Sequence, residues 1–207
     1  MGDYQTEQES FWAGNFGDDY SQRNVGDQWV ASNLSLFSKV FDRTTKVDSV
    51  LELGANIGLN LRAIRLLRPA ASIDAVEING QAVEELKSQG GIEVHHKSIL
   101  EFKPEKKYDF VFTKGVLIHL NPDALPSVYD LMYEASSRYI LVAEYYNPSP
   151  QSIPYRGHDD RLFKRDFAGE LMERHPNTKL VDYGFVYRRD PNYPQDDISW
   201  FLIEKLG

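Results

Sequence analysis

The chain has 207 residues, enough for one domain with a substantial core, and its 42% hydrophobic and 26% charged content excludes a disordered chain. A formal net charge of -8 argues against a nucleic-acid backbone as the main partner, and the absence of cysteine excludes disulfides, thiolate metal ligands and a cysteine nucleophile. No apolar run approaches the length of a membrane span, and Met1-Gly2-Asp3-Tyr4-Gln5 lacks the basic and apolar regions of a signal peptide, so a cytoplasmic protein with no membrane partner is expected.

In chain order, the first 24 or so residues are polar with scattered aromatics, Phe11, Trp12, Phe16 and Tyr20, among glycines. The pattern is too irregular for one helix. It suits a lid, with Trp12 and Tyr20 touching substrate and Arg23 gripping a carboxylate of cofactor or substrate. It equally suits a strap that packs Trp12 and Phe16 on the domain. Val30, Leu34, Phe37, Val40 and Phe41 then share one face of a helix. The expected organisation is a single structural domain in which 1–45 form a helical lid or strap and 46–207 hold a cofactor.

Strands and helices alternate from there. Residues 49–54 read as strand one and 59–67 as a helix stopped by Arg68-Pro69. Residues 72–78 are strand two, 81–89 a helix closed by Gly90-Gly91, 92–96 strand three and 108–113 strand four. A helix over 122–137 carries Pro in its first turn and Leu125, Val128, Leu131, Met132 and Ala135 on one face, before strand five at 139–144. Residues 147–164 read as a Pro-, Ser-, Gly- and Arg-rich loop, long for a connector and therefore a candidate for function. A helix at 166–175 and a strand pair at 180–187 and 198–204 complete the chain. This alternation predicts a parallel sheet with helices on both faces.

The most informative stretch is Val50-Leu51-Glu52-Leu53-Gly54-Ala55-Asn56-Ile57-Gly58, a strand that passes through a glycine turn into a helix. Strand two ends in Glu77, and a carboxylate there can accept hydrogen bonds from both hydroxyls of a ribose. A nucleoside cofactor lying across the carboxyl edge of the sheet follows. Asn56 stands where a dinucleotide fingerprint has its middle glycine, and Glu52 repels a pyrophosphate but suits a cation such as a sulfonium with an α-amino group.

Two further regions carry chemistry. Tyr155, Arg156, Arg161 and Arg165 lie in the 147–165 stretch, where the basic side chains stand out in an acidic protein. Arginines hold carboxylates and phosphates bidentately, which points to a small anionic acceptor, unless these charges pair among themselves. His158 in that stretch and His119 after strand four are candidate general bases, with Tyr146 a third catalytic candidate. His119 alternatively caps or orients the helix that follows it. The histidines lack metal-ligand spacing, and His95-His96 on a strand point to opposite faces, so no metal is expected.

Glu52-Leu53-Gly54-Ala55-Asn56-Ile57-Gly58 resembles the E/D-x-G-x-x-x-G motif of class I S-adenosylmethionine-dependent methyltransferases. The resemblance implies a Rossmann-like α/β fold, with a mostly parallel seven-stranded sheet, helices on both faces and an antiparallel last strand. It implies S-adenosyl-L-methionine as cofactor, held by Glu52, Gly54, Ala55, Asn56, Gly58, Glu77 and Ile78. Ser98-Ile99 would meet the adenine, with a hydroxyl where an acid is common, or equally would serve only to cap the loop after strand three, and Lys114 would line the cofactor.

Four longer motifs, F-W-x-G-x-F-G-x-x-Y-x-x-R-N, L-E-L-G-A-N-I-G, V-L-I-H-L-N-P and E-Y-Y-N-P…Y-R-G…D-R-L-F-K-R-D-F, together resemble the pseudaminic acid biosynthesis-associated methylases. That resemblance runs from Phe11 to the last strand. It implies a small methyltransferase associated with nonulosonic-acid pathways, and an acidic sugar or sugar nucleotide as acceptor. A carboxyl O-methyltransferase acting on a peptide or protein, a nucleotide-dependent oxidoreductase and a non-catalytic S-adenosylmethionine-binding module remain as alternatives.

Overall fold

The computed structural model describes residues 4–23, 26–155 and 157–206, with the side chains of 23 and 158–160 outside that description. Strands β1 (Ser49–Leu53), β2 (Ser72–Glu77), β3 (Glu93–His96), β4 (Tyr108–Lys114) and β5 (Ser136–Glu144) alternate with helices. They lie parallel in the order β3-β2-β1-β4-β5. The last strand, β9 (Ile198–Lys205), inserts antiparallel between β5 and β8 (Thr178–Val186), giving a seven-stranded sheet of order β3-β2-β1-β4-β5-β9-β8. Strand order reverses between β1 and β4, which opens a crevice at their carboxyl ends.

Buried residues run almost unbroken along the central strands because both faces are covered. Val50, Phe110, Phe112, Leu141 and Trp200 pack with α3 (Asp27–Phe41), α4 (Leu59–Leu67) and α5 (Gly80–Ser88) on one side. Leu51, Leu53, Val111, Ile140 and Val142 pack with α6 (Leu125–Ala135) and α7 (Phe167–Arg174) on the other. The mostly parallel sheet, the helices on both faces and the antiparallel last strand are as the sequence implied.

One local element is defined more closely and one expectation is corrected. The aromatic N-terminal segment is two short helices, α1 (Glu7–Ala13) and α2 (Asn15–Arg23). Thr6 and Glu9 form a reciprocal capping box that starts α1, and Gly14 leaves helical geometry to separate the two. Trp12 and Phe16 thereby meet edge to face, with ring centroids 5.3 Å apart.

Residues 147–164 are not an irregular loop. They contain an antiparallel hairpin of β6 (Gln151–Tyr155) and β7 (His158–Lys164), with Leu162 and Phe163 buried. Pro154 obscures the strand because proline cannot donate to a ladder, but it sits at the register shift between Ile153 and Tyr155, where no ladder bond is required.

Candidate functional site

The turn after β1 is built on left-handed backbone. Gly54, Asn56 and Gly58 have φ of 77°, 47° and 76°. A side chain at Gly54 would meet Val116 Cγ2 at 2.7 Å, so the turn needs glycine there for both conformation and space. Asn56 tolerates its left-handed position, as asparagine does, and its Oδ1 accepts from Ser21 Oγ of α2 at 2.7 Å. The N–H groups of Gly54 and Ala55 both donate to Val76 O, tying the turn to β2.

Glu77 is held by this turn. Its Oε2 accepts from Asn56 N and its Oε1 from Asn79 N, both at 2.7 Å. Burial raises its pKa and these backbone bonds oppose the rise. Each oxygen retains acceptor capacity toward the cavity that Glu77 lines.

Glu52 lies fully buried, bonded through Oε1 to Asn60 Nδ2 at 2.7 Å. Its Oε2 is buried without a partner, and burial pushes the carboxyl up to about 8. Asn60 and Lys114, both electrostatic or hydrogen-bond neighbours of Glu52, form part of the cavity wall in front of it. Asn33 Oδ1, on the same wall, is also buried without a partner. Burial pushes the Lys114 ammonium down, with Asp196, Glu52 and Glu144 opposing the shift.

The cavity measures about 210 Å³. Gly54, Ala55 and Asn56 form its floor, while Ile78, Ser98 and Ile99 flank Glu77. Trp12 and Tyr20 enter from α1 and α2, and His119 from the 3-10 turn Leu117–His119. Trp12 lies 4.6 Å from the His119 ring and 5.3 Å from Tyr20, and Tyr155 of the hairpin lies 5.1 Å from His119 between centroids. The N-terminal helices, the post-β4 turn and the hairpin thus meet in one aromatic cluster, of which Trp12, Tyr20 and His119 line the cavity.

His119 is buried, and its Nδ1 lies 2.7 Å from the Arg161 carbonyl. A carbonyl only accepts, so Nδ1 carries the proton and Nε2 is the basic nitrogen. Burial lowers the pKa to about 4, so the imidazole is neutral at pH 7.

The turn that carries His119 is fixed by Glu144 at the end of β5. Its Oε1 accepts from Val116 N and Leu117 N at 3.1 Å each, and its Oε2 from Ile118 N at 3.4 Å. Burial raises the Glu144 carboxyl to about 7 against these bonds. Glu144→Ala strands the buried N–H groups and is expected to cost about 3 kcal/mol, read as a lower urea midpoint at unchanged m.

Other residues selected from the sequence lie elsewhere. Gly58 caps α4 and packs toward Leu86. Arg161 Nη2 donates to Glu7 at 3.0 Å and its guanidinium lies over the Phe11 ring, while Arg165 Nε donates to Glu170 at 2.8 Å. Tyr146 is 42% exposed against Phe201, away from the cavity. Arg156 and the side chains of Arg23 and His158 lie outside the described residues. His95 bonds to Asp74, which also accepts from Lys106 and Tyr108. Among the described residues no three His, Asp or Glu side chains are grouped to hold a metal ion, and no helix is long and apolar enough to cross a membrane.

Sequence reasoning missed Gln8, Glu9, Trp29, Asn33, Asn60 and Asp196 as cavity residues. Glu9 carried a legible signal, the Thr6-x-x-Glu9 capping box, and Asn33 is a polar residue interrupting the apolar face of α3.

The sheet order, the antiparallel β9 and the cavity at the switch point define the Rossmann-like fold of class I methyltransferases. Solved structures of that class match the chain in three dimensions. Magnesium protoporphyrin IX methyltransferase from Synechocystis, with bound S-adenosylmethionine, matches with a TM-score of 0.68 and 13% identity over 99% of this chain and 100% of its own. The 1,6-didemethyltoxoflavin-N1-methyltransferase of Burkholderia thailandensis, with bound 1,6-didemethyltoxoflavin and S-adenosylhomocysteine, gives 0.71 and 15% over 96% and 87%. An amino pentose methyltransferase of Micromonospora echinaspora, from calicheamicin biosynthesis, gives 0.65 and 10% over 93% and 97%. No protein-family profile matches the chain, and no curated protein matches it in sequence.

Proposed function

We propose that this protein is a cytoplasmic methyltransferase that moves the methyl group of S-adenosyl-L-methionine to a small-molecule acceptor, with residues 1–45 as a lid and 46–207 holding the cofactor. The observation that carries the reading is the pair of carboxylates around one left-handed turn at the switch point, Glu77 on the cavity and Glu52 behind it. The remaining lone pairs of Glu77 suit two ribose hydroxyls. Asn33 Oδ1, a partnerless acceptor of a cavity residue, suits an ammonium group, and a cation in the cavity favours the ionised form of Glu52 that burial opposes from behind the wall.

When bound, the cofactor supplies an electrophilic methyl group. The chain must hold the acceptor about 3 Å from that carbon, in line, with water excluded. The roof of Trp12 and Tyr20 suits the exclusion. His119 Nε2 takes the proton that a hydroxyl or ammonium acceptor must lose; a carboxylate acceptor needs no base.

An acidic sugar or sugar nucleotide is the acceptor that the motif resemblance supports, and the amino pentose methyltransferase shows a sugar acceptor on this fold. Arg161 and Arg165 are engaged by Glu7 and Glu170, which leaves Lys114 as the cationic side chain on the cavity among the described residues.

Calorimetric titration with S-adenosylmethionine, S-adenosylhomocysteine and NADH tests the cofactor assignment. Binding of both adenosyl ligands and not NADH is expected. NADH binding with no adenosyl binding would return the oxidoreductase reading. With the cofactor established, turnover on acidic sugars against peptides separates the acceptor classes.

A further inference from the structure

The position after β3 where an acid is common in this fold class is Ser98, yet the structure places a carboxylate there. Ser98 is 4% exposed, and its Oγ donates to Glu9 Oε1 of α1. The same Oγ accepts from Leu100 N at 3.1 Å, which fixes the hydroxyl proton toward Glu9. Glu9 is itself only 4% exposed, and its Oε2 accepts from Thr6 N at 2.8 Å and from Thr6 Oγ1 at 3.1 Å. Glu9 and Ser98 both line the cavity, together with Ile78 and Ile99. A carboxylate on the cavity is therefore held from two sides, by Thr6 of its own helix start and by Ser98, 89 positions away in the chain.

We infer that Glu9 recognises the exocyclic amine of the adenine, so that the adenine subsite is completed by the N-terminal helix rather than by the sheet. The inference rests on the adenosyl cofactor proposed above. With the ribose on Glu77 at the end of β2, the base extends over the next strand outward, β3, toward Ser98 and Ile99. Ile99 offers an apolar contact for the ring. Glu9 Oε1 has one lone pair on Ser98 and a second to accept an N–H. Adenine presents an amine donor at that edge, whereas hypoxanthine presents a carbonyl oxygen that the carboxylate repels.

The docking of α1 is thereby coupled to the cofactor. The helix that carries Glu9 also carries Trp12 into the roof, and Asn79, which caps α5 beside Glu77, donates to Trp12 O at 3.3 Å and to Asp18 of α2 at 2.8 Å. An adenine bonded to Glu9 holds the roof over the methyl-transfer end of the same cavity.

The test compares binding of S-adenosylhomocysteine with that of its deaminated analogue, S-inosylhomocysteine, by calorimetry on the wild type, Glu9→Gln and Ser98→Ala. Glutamine serves a capping box as glutamate does, so Glu9→Gln retains the start of α1, checked by its far-UV circular dichroism and melting temperature. The wild type is expected to favour the adenosyl ligand by about a hundredfold, a site with a built polar partner discriminating strongly against the wrong group. Glu9→Gln, which keeps its amide oxygen on Thr6 N and sets its NH2 in the place of Oε1, loses the acceptor for the amine and is expected to abolish or reverse the preference. Ser98→Ala, which frees the carboxylate to rotate, is expected to give an intermediate ratio. Undiminished discrimination in folded Glu9→Gln overturns the inference while leaving the cofactor assignment standing. A wild type that binds neither ligand overturns both.

Discussion

Glu77→Ala is expected to weaken S-adenosylmethionine binding by at least about a hundredfold. Two hydrogen bonds from ribose hydroxyls to a carboxylate contribute about 1.5 kcal/mol each at the low end, and about 3 kcal/mol is a factor of more than a hundred in Kd. The side chain also organises its surroundings, since Asn56 N and Asn79 N both donate to it. Removing it releases the turn and the start of α5 together.

Glu77→Gln keeps one acceptor but turns an N–H toward one of those two donors, so it is expected to lose at least tenfold. Because burial raises the Glu77 carboxyl, affinity is retained at high pH and declines as pH falls, at a pH above the range of a solvated carboxylate. Calorimetry at several pH values reads both effects. Wild-type affinity in a folded Glu77→Ala protein would end the ribose assignment.

His119→Ala is expected to lower kcat by about 100- to 10,000-fold on a hydroxyl or amine acceptor, the usual contribution of a positioned base. Affinity for S-adenosylhomocysteine should change little, because the cofactor-binding carboxylates are elsewhere. The pH profile identifies the group. With a pKa of about 4, His119 is already deprotonated across the neutral range, so the rate stays level from neutrality down to about pH 5 and falls as pH drops through about 4.

Linkage has the same sign. The folded pKa lies below that of a solvated histidine, so the stability from this group is present above about 6.5 and lost as pH falls toward 4. Turnover that survives His119→Ala intact would point to a carboxylate acceptor. Absence of turnover by the wild type on every acceptor class, with cofactor bound, would favour a binding module.

The parts of this protein legible in sequence are those specified by neighbours in the chain. The alternation of strands and helices, the β1 turn and Glu77 are set by periodicity and turn chemistry over short spans. Glu52, Gly54, Asn56 and Glu77 were legible for that reason, and the first four parallel strands follow from short crossovers. The β6–β7 hairpin was not, because Pro154 and Gly157 read as loop signals when they occupy a register shift and a turn at φ 84°.

The charges in that hairpin were ambiguous for a different reason. An arginine in a sequence carries no mark of its partner, and the fold brings Glu7 to Arg161 across 154 residues.

By itself, then, the sequence determined the α/β class, the glycine turn after β1 and a carboxylate at or next to the end of each of the first two strands, since these need only local backbone preferences and apolar spacing. Tertiary structure alone decided which tautomer His119 adopts, that Glu52 keeps a partnerless buried oxygen, that Arg161 and Arg165 are engaged, and that Glu9 rather than a sheet residue sets a carboxylate beside Ser98. Each of those depends on desolvation and on contacts between segments far apart in the chain, which no local pattern encodes.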